Sequence, residues 1–382
     1  MTTESQIAGV RSGLADATRI VIKIGSSLLV DDESGLLNRL WLDSLADEIV
    51  RLRERGQQVL IVSSGAIALG RKYLGLEPAQ RRLEEHQAAA AAGQVLLAHA
   101  YQDLLGDRNI RVAQVLLTLD DTENRRRYLN ARSTLDTLLR LGAVPVINEN
   151  DTVATHEIRY GDNDRLGARV AEMVSADCLV LLSDVDGLYD ADPADNPQAR
   201  LIEEVAAITR KIESLAGETS TAYGSGGMIT KLKAARIAVA AGCATVIANG
   251  RQLQPIMAVE DGGPATWFIP RKTPLAARKQ WIGGSLKSCG RLIVDAGAET
   301  ALVKGSSLLP VGIVSVDGDF ERGDAITVSN VEGREIACGL AAYSSHDARK
   351  ISGRRSDEIE GLLGYAGRDE IIHRDDLVLL DG

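Results

Sequence analysis

This chain of 382 residues has few cysteines, no long apolar run and no cluster of histidines. The four cysteines lie far apart, at Cys178, Cys243, Cys289 and Cys338, which suggests neither a disulfide framework nor a zinc knuckle. No apolar run approaches the roughly 18 residues that span a bilayer, and residues 1–17 are polar, without the apolar core of a signal peptide. We therefore expect a soluble, cytoplasmic protein with reduced cysteines and no membrane partner.

The five histidines show neither metal-ligand spacing nor the partners of a catalytic triad, so we assign them no role. A surplus of positive charge is also missing. The formal net charge is −10, a poor match for a protein that binds nucleic acid through its phosphates. What the chain does have is 45% hydrophobic residues over a length suited to about two domains, enough for a proper core.

The most informative stretch is residues 20–27, an apolar run that contains one lysine and ends in a glycine and two serines. A β-branched run closed by Gly and Ser predicts a buried strand that enters a tight loop. Lys23 is unusual there, because an ammonium group in an apolar strand must either reach water or meet an anion where the strand ends. Taken alone, Lys23 is equally well explained as an edge-strand lysine that discourages pairing between sheets.

Strand, small-residue loop and helix recur along most of the chain. Apolar runs predict five strands, at 20–24, 59–62, 112–117, 143–147 and 179–182. Periodicity or propensity predicts helices at 42–52, 84–105, 122–141 and 232–241. The alanine-rich helix at 84–105 suits close packing, or alternatively a contact between subunits. Such alternation predicts an α/β fold, in which ligands bind where the strands end.

Polar residues are dense after the fourth predicted strand. Asn148, Glu149, Asn150 and Asp151 follow it directly, and residues 160–164 form a second polar cluster ahead of a helix. Each residue taken singly is explained by turns and helix caps. Two such clusters within about 15 residues, at the mouth of one sheet, are harder to explain by turns and caps alone.

A glycine-rich loop at 223–231 leads straight into a predicted helix, and Lys231 would lie in the first turn of that helix. Glycines allow backbone N–H groups to approach phosphate oxygens, and a helix N-terminus adds a favourable field for an anion. The loop is not a Walker A motif, because Gly-Lys-Ser/Thr is absent. A plain flexible loop explains the pattern equally well.

The composition of the sequence changes from about residue 271, where prolines and basic residues predict a linker over 271–284. Beyond it, short strands at 292–294, 312–316, 325–328 and 334–340 alternate with turns. This spacing predicts a small β-rich barrel or sandwich. The last residues are acidic, and we expect them to be loosely held.

The strand-end motifs resemble the amino acid kinase family. They are, in order, Ile22-Lys23-Ile24-Gly25-Ser26-Ser27, Ser63-Ser64-Gly65-Ala66, Asn148-Glu149-Asn150-Asp151, Gly161-Asp162-Asn163-Asp164, Ser183-Asp184-Val185-Asp186-Gly187 and Gly224-Ser225-Gly226-Gly227-Met228-Ile229-Thr230-Lys231. The third and fourth motifs resemble the branch that phosphorylates L-glutamate at the start of proline biosynthesis. Ser183 and Ser225 stand where that family usually has threonine, which keeps the hydroxyl. The segment before Thr18 matches nothing in the family.

The C-terminal part resembles a PUA domain, through residues 305–312 and 322–324. The two resemblances imply a three-layer αβα sandwich with a mainly parallel sheet, followed by a small β-barrel-like domain. They place the kinase domain at 18–270 and the PUA domain at 285–368, on either side of the linker. They also imply a homo-oligomer, a dimer or tetramer, and feedback inhibition by proline.

The resemblance implies ATP-dependent phosphorylation of the γ-carboxylate of L-glutamate, with Mg²⁺ carried by the nucleotide and no dedicated metal site. A carboxylate is already ionised at pH 7, so the reaction needs alignment and charge neutralisation rather than a general base. The implied catalytic residues are Lys23, Lys231 and Asp164, with both lysines on the transferred phosphoryl group and Asp164 holding them. The implied glutamate-binding residues are Ser64, Asn148, Asp151 and Asn163. The implied ATP-binding residues are Lys23, Ser183, Asp184, Ser225, Gly226, Gly227, Met228, Ile229, Thr230 and Lys231.

Two other functions are compatible with the sequence. One is a sibling kinase that acts on N-acetylglutamate, aspartate, carbamate or a nucleotide monophosphate, which would share the lysines but would not need Asp151 beside Asn148. The other is an RNA-binding role through the PUA-like domain. Residues 285–368 contain 10 Lys plus Arg against 12 Asp plus Glu, a net charge of −2, which disfavours RNA as a partner.

Overall fold

The computed structural model describes residues 13–31, 34–76, 82–153, 162–216, 227–285 and 288–380. Contacts between Cα atoms divide the chain into two compact units, residues 1–124 with 130–274 and residues 125–129 with 275–382. Over the described ranges, no helix is long and apolar enough to cross a membrane.

The first unit is built on an eight-stranded sheet with the order β3-β4-β2-β1-β5-β7-β8-β6. Every neighbouring pair is parallel except β7 and β8. The mainly parallel α/β sheet is therefore confirmed, and three strands that the sequence did not predict extend it. The strands are β1 (Arg19–Ile24), β2 (Gln58–Ser63), β3 (Val112–Leu117), β4 (Val144–Glu149), β5 (Cys178–Ser183), β6 (Glu204–Val205), β7 (Ala244–Asn249) and β8 (Ala265–Phe268).

Ten named helices precede residue 274 in the described part of the chain. The single helix predicted at 122–141 is wrong, because Asn124 has an extended backbone (φ −75, ψ 116) and ends the shorter helix before it. A 3₁₀ turn, Asp151–Val153, follows β4. The helices are α1 (Ser26–Leu29), α2 (Arg39–Glu54), α3 (Ala66–Leu74), α4 (Leu83–Gly106), α5 (Leu119–Glu123), α6 (Arg125–Arg140), α7 (Asp162–Met173), α8 (Arg210–Ser214), α9 (Met228–Ala240) and α10 (Pro255–Glu260).

Strand β1 lies in the middle of the sheet, between β2 and β5. Its residues Ile20, Ile22 and Ile24 are fully buried in the main core cluster, as alternation along a strand requires. The edge-strand explanation of Lys23 is therefore wrong. Lys23 is only 6% exposed, so its ammonium group needs a buried partner.

Helices α3 and α4 touch backbone to backbone. A Cβ atom added to Gly93 would lie 1.7 Å from the carbonyl oxygen of Ala66, and one added to Gly70 would lie 1.8 Å from that of Ala89. Only glycine fits at such a crossing. Of the two explanations of the alanine-rich helix, close packing is confirmed, and it fixes α4 relative to the loop that ends β2.

The second unit contains a five-stranded sheet with the order β10-β9-β11-β12-β13, which confirms its β-rich character. Its strands are β9 (Gly290–Val294), β10 (Ile313–Gly318), β11 (Ala325–Asn330), β12 (Glu335–Leu340) and β13 (Leu377–Leu379). Its helices are α11 (Pro274–Ser285), α12 (Ala296–Val303), α13 (Ser345–Ile351) and α14 (Ile359–Leu363), with 3₁₀ turns at Pro310–Gly312, Ser356–Glu358 and Arg374–Asp376.

The C-terminal segment is part of the fold as far as residue 380. Ile371 and Ile372 are fully buried, and β13 pairs with β12. Arg278 of α11 donates to Oδ1 of Asp376 from Nε at 2.9 Å and from Nη2 at 2.6 Å, and both side chains are buried. The expectation of a loosely held acidic end is therefore wrong, because apolar residues between the acidic ones complete the second core.

Candidate functional site

The loops after β1, β2, β4, β5 and β7 leave the sheet at the same edge, because these strands are parallel neighbours. Backbone hydrogen bonds tie the loops together. Ser64 N donates to Ile24 O at 3.2 Å, and Gly25 N donates to Leu182 O at 3.3 Å. The predicted polar residues thus converge at one end of the first unit.

Three ionised side chains meet at this edge. Lys23 Nζ lies 2.5 Å from Asp164 Oδ1, and Lys231 Nζ lies 3.6 Å from Asp164 Oδ2. All three side chains are buried, and Asp164 is fully so. We call Lys23, Asp164 and Lys231 the ionic trio. The structure brings together all three residues that the sequence nominated as catalytic, from three separate elements.

Local packing explains how the trio is positioned. Helix α7 crosses β1 at Gly167, where an added Cβ would lie 3.3 Å from Cβ of Lys23, so the glycine makes room for the lysine stem. Gly227 begins α9 as its N-cap and places Lys231 in the first turn. Thr230 Oγ1 lies 2.8 Å from Asp164 Oδ2 and anchors that turn on the carboxylate.

Burial and charge shift two pKa values of the trio. Burial alone would raise the pKa of Asp164, but the two ammonium groups outweigh it and hold that pKa below its ordinary value. Burial lowers the pKa of Lys231, and the neighbouring Lys23 charge lowers it further, while Asp164 opposes the shift. Two positive charges and one negative charge leave the trio with a net charge of +1, which suits a phosphate group.

A second cluster, next to the trio, is made of neutral groups. Asn163 Nδ2 donates to Ser64 Oγ at 2.9 Å and to Asn148 Oδ1 at 3.0 Å. Asn148 Nδ2 donates to Gln94 Oε1 at 2.7 Å. We call Ser64, Asn148, Asn163 and Gln94 the amide network. Three of its four members were predicted to bind the acceptor substrate.

Gln94 is the member that the sequence did not predict. It lies on α4 and is 8% exposed. Its helix also carries Gln87 and Gln102, so a glutamine there is no distinctive signal, and helix propensity does not single Gln94 out. It reaches the site only because α4 packs against α3, a tertiary contact that no local pattern reveals.

Asp151, the fourth predicted acceptor-binding residue, lies in the 3₁₀ turn after β4 and is 8% exposed. That turn packs against α4, the helix that also carries Gln94. Asp151 and the amide network therefore share one supporting helix.

The structure describes only some of the residues predicted to bind the nucleotide. Ser183 ends β5, and its hydroxyl donates to Oδ1 of the exposed Asp184 at 3.0 Å. Gly227 to Lys231 form the N-terminal turn of α9. Ser225 and Gly226 lie outside the described residues.

The two clusters are joined at one peptide bond. Asn163 belongs to the amide network and Asp164 to the ionic trio, and both lie in the first turn of α7. A group held by the network would therefore lie next to the ammonium groups. This arrangement suits the transfer of a phosphoryl group between two bound ligands.

Family models and curated relatives both match this chain over most of its length. The model of the "Amino acid kinase family" matches residues 18–249, and that of the "PUA domain" matches residues 290–363. A curated protein of Paramagnetospirillum magneticum, named Glutamate 5-kinase, is 62% identical over 96% of this chain and 99% of its own length. Proteins of the same name from Rhodospirillum rubrum and Agrobacterium fabrum are 60% and 56% identical, over 94% and 97% of this chain and 96% and 95% of their own lengths.

Proposed function

The chain belongs to the amino acid kinase family, and from that premise we propose that it transfers the γ-phosphoryl group of ATP to the γ-carboxylate of L-glutamate. The observation that carries the proposal is the junction at Asn163 and Asp164, which sets a charged cluster suited to phosphate beside a neutral cluster suited to an amino acid. The name shared by the curated relatives supports glutamate as the acceptor.

In the proposed reaction, a γ-carboxylate oxygen of glutamate attacks the γ-phosphorus of ATP in line. The new O–P bond forms as the bond to the β-phosphate oxygen breaks, and γ-glutamyl phosphate and ADP result. The attacking carboxylate is ionised at neutral pH, so no proton needs to be removed. The protein contributes alignment and charge stabilisation.

We assign the charge stabilisation to Lys23 and Lys231. Their ammonium groups approach the two oxygens of a single buried carboxylate, so Asp164 keeps them apart and aimed at one region. A loose phosphoryl transition state spreads negative charge over its oxygens, and preorganised cations stabilise that charge.

We assign the recognition of glutamate to Ser64, Asn148, Asp151 and Asn163. Asp151 offers a carboxylate to the α-ammonium group. Among the described residues no donor reaches the buried Oδ1 of Asn163, so this oxygen also suits an ammonium group. A sibling acceptor without a free α-ammonium, such as N-acetylglutamate, would leave these acceptors unmatched.

For the nucleotide, we assign Ser183, Asp184 and the segment from Ser225 to Thr230. The residues present fit a nucleotide that brings its own Mg²⁺. The trio would supply cations to the phosphates of such a nucleotide. When bound, Mg²⁺ would neutralise phosphate charge.

The wider biological role is part of the same proposal. The product would enter proline biosynthesis in the cytoplasm, with proline as feedback inhibitor. The enzyme would act as a dimer or tetramer, with 18–270 as the kinase domain, 271–284 as a linker and 285–368 as a PUA domain of regulatory or structural role. The named relatives favour neither the sibling kinases nor an RNA-binding role.

ADP formation by the full chain, measured with a panel of acceptors, tests the proposal. With ATP and Mg²⁺ present, L-glutamate should support turnover, whereas L-aspartate, N-acetyl-L-glutamate and UMP should give rates close to the rate without an acceptor. Faster turnover with any of these three would assign the chain to a sibling activity and refute the proposal.

A further inference from the structure

The amide network has a fixed direction. The backbone N–H of Glu149 donates to Asn148 Oδ1 at 2.9 Å. A backbone N–H can only donate, so the carbonyl oxygen of the Asn148 side chain must face it. That oxygen also accepts from Asn163 Nδ2, so one backbone group sets the orientation of two side-chain amides.

The same constraint reaches Gln94. Because the side-chain oxygen of Asn148 faces the backbone N–H of Glu149, its NH₂ group must point the opposite way. That NH₂ group donates to Gln94 Oε1 at 2.7 Å. Asn148 is 3% exposed and Gln94 is 8% exposed, so water competes little for this bond. Within the described part of the chain, Gln94 Nε2 has no hydrogen-bond partner. The side-chain hydrogen bond of Gln94 is therefore the one that its Oε1 accepts from Asn148.

The backbone contact between α3 and α4 sets the position of Gln94. The preceding residue, Gly93, meets the carbonyl of Ala66 so closely that no side chain fits between them. Ala66 begins α3, two residues after Ser64, another member of the network. The contact therefore fixes the distance from Gln94 to the loop that ends β2.

We propose that Gln94 is a positioning residue for the acceptor substrate. It accepts from Asn148 Nδ2 and so holds the NH₂ end of a side chain whose oxygen end is held by the backbone N–H of Glu149, and that oxygen in turn holds Asn163. Gln94 acts through Asn148 and has no role in phosphoryl transfer itself. The inference rests on the proposed function, because it takes the amide network as the glutamate-binding half of the site.

The first test compares Gln94→Met with a matched control, Gln57→Met. Gln57 is a second buried glutamine, 5% exposed, and its Nε2 donates to the carbonyls of Leu14 and Ala17, away from the site. Gln94→Met should raise the KM for glutamate about tenfold and leave the KM for ATP and kcat within about twofold. Gln57→Met should lower the melting temperature without changing either KM.

A double-mutant cycle with Asn148→Ala tests whether Gln94 acts through Asn148. In the Asn148→Ala background, Gln94→Met should change the KM for glutamate by less than about twofold. If Gln94→Met fails to fold, Gln94→Glu replaces it. Gln94→Glu keeps an acceptor for Asn148 Nδ2, so its KM for glutamate should stay within about threefold of the wild-type value.

The outcomes separate this inference from the proposed function. If the wild-type chain does not phosphorylate glutamate, the proposed function fails. If it does, the inference is overturned by a Gln94→Met variant with unchanged KM, by an equal rise in the KM for ATP, or by additive effects in the cycle. A Gln94→Glu variant with a tenfold higher KM would overturn the acceptor role.

Discussion

The two halves of the candidate site are held together by different forces. In the ionic trio, two ammonium groups share one fully buried carboxylate. In the amide network, neutral donors and acceptors form a chain whose direction a backbone N–H sets. Electrostatic attraction depends weakly on angle, whereas a hydrogen-bond chain requires each group to face one way.

The difference teaches how one site can treat two ligands differently. A phosphoryl group in transfer changes shape and spreads its charge, so cations that tolerate several geometries suit it. An amino acid must be distinguished from close analogues, which requires directional donors and acceptors. Since Asn163 and Asp164 are adjacent, a ligand bound by the amide network can touch a ligand bound by the ionic trio.

The largest expected effect is on the ionic half. Lys231→Met should lower kcat by about 10² or more, because it removes a cation from the transition state, and should change the KM for glutamate little. Lys23→Met should behave alike. Steady-state kinetics checks this, with the exposed Lys233→Met on the same helix as a control that stays near wild type. Near-normal kcat in either variant would remove that lysine from the mechanism.

The next largest effect is expected in the half of the site that we assign to glutamate, and it should leave ATP binding unchanged. Asp151→Ala should raise the KM for glutamate roughly 10- to 100-fold, because a hydrogen bond to a charged group contributes about 1.5–3 kcal/mol. The KM for ATP should stay near wild type. Thr152→Ala, at the exposed neighbouring position, serves as the control. If instead the KM for ATP rose, Asp151 would belong with the nucleotide.

The helix crossing gives a structural test of the same comparison. Gly93→Ala should destabilise the fold by about 1–3 kcal/mol, since its Cβ would overlap backbone that cannot yield locally. The KM for glutamate should rise more than that for ATP, because α4 carries Gln94. Gly106→Ala, on the same helix with no atom within 4 Å of the added Cβ, should be neutral or slightly stabilising. Equal behaviour of the two variants would contradict the described crossing.

The smallest effect is on pH dependence. The pKa of Lys231 is lowered, so its charge, and with it kcat, should be lost at a lower alkaline pH than for an ordinary lysine. Lys231→Arg keeps the charge at any accessible pH, so its residual kcat should hold to higher pH. The α-ammonium group of glutamate also loses its proton at alkaline pH, so kcat is compared at saturating glutamate, where it reports the state of Lys231 rather than glutamate binding. If kcat of Lys231→Arg fell at the same alkaline pH as kcat of the wild type, the loss of activity would belong to the titration of another group.

Much of the fold and most of the candidate site follow from sequence patterns. The strand ends that carry Lys23, Ser64, Asn148 and Ser183 are apolar runs closed by polar residues, a signal contained within a few residues. The assignment of roles to them came from the family resemblance and is still a proposal.

What the patterns missed depends on tertiary contacts. Gln94 enters the site through the crossing of α3 and α4, and the central position of β1 decides between two explanations of Lys23 that are locally equal. The short strands β6 and β13 have too few residues to show alternation. Asn124, a single extended residue, divides a segment whose periodicity predicts one helix.

Trapping the product with hydroxylamine tests the central claim most directly, because it shows which carboxylate receives the phosphoryl group. The full chain is incubated with ATP, Mg²⁺, L-glutamate and hydroxylamine, and the hydroxamate is identified by mass spectrometry against both synthetic isomers. We predict the γ-glutamyl hydroxamate, formed in step with ADP. The α-isomer, or ADP without any hydroxamate, would contradict the assignment of the amide network to the amino acid and of the ionic trio to its side-chain carboxylate.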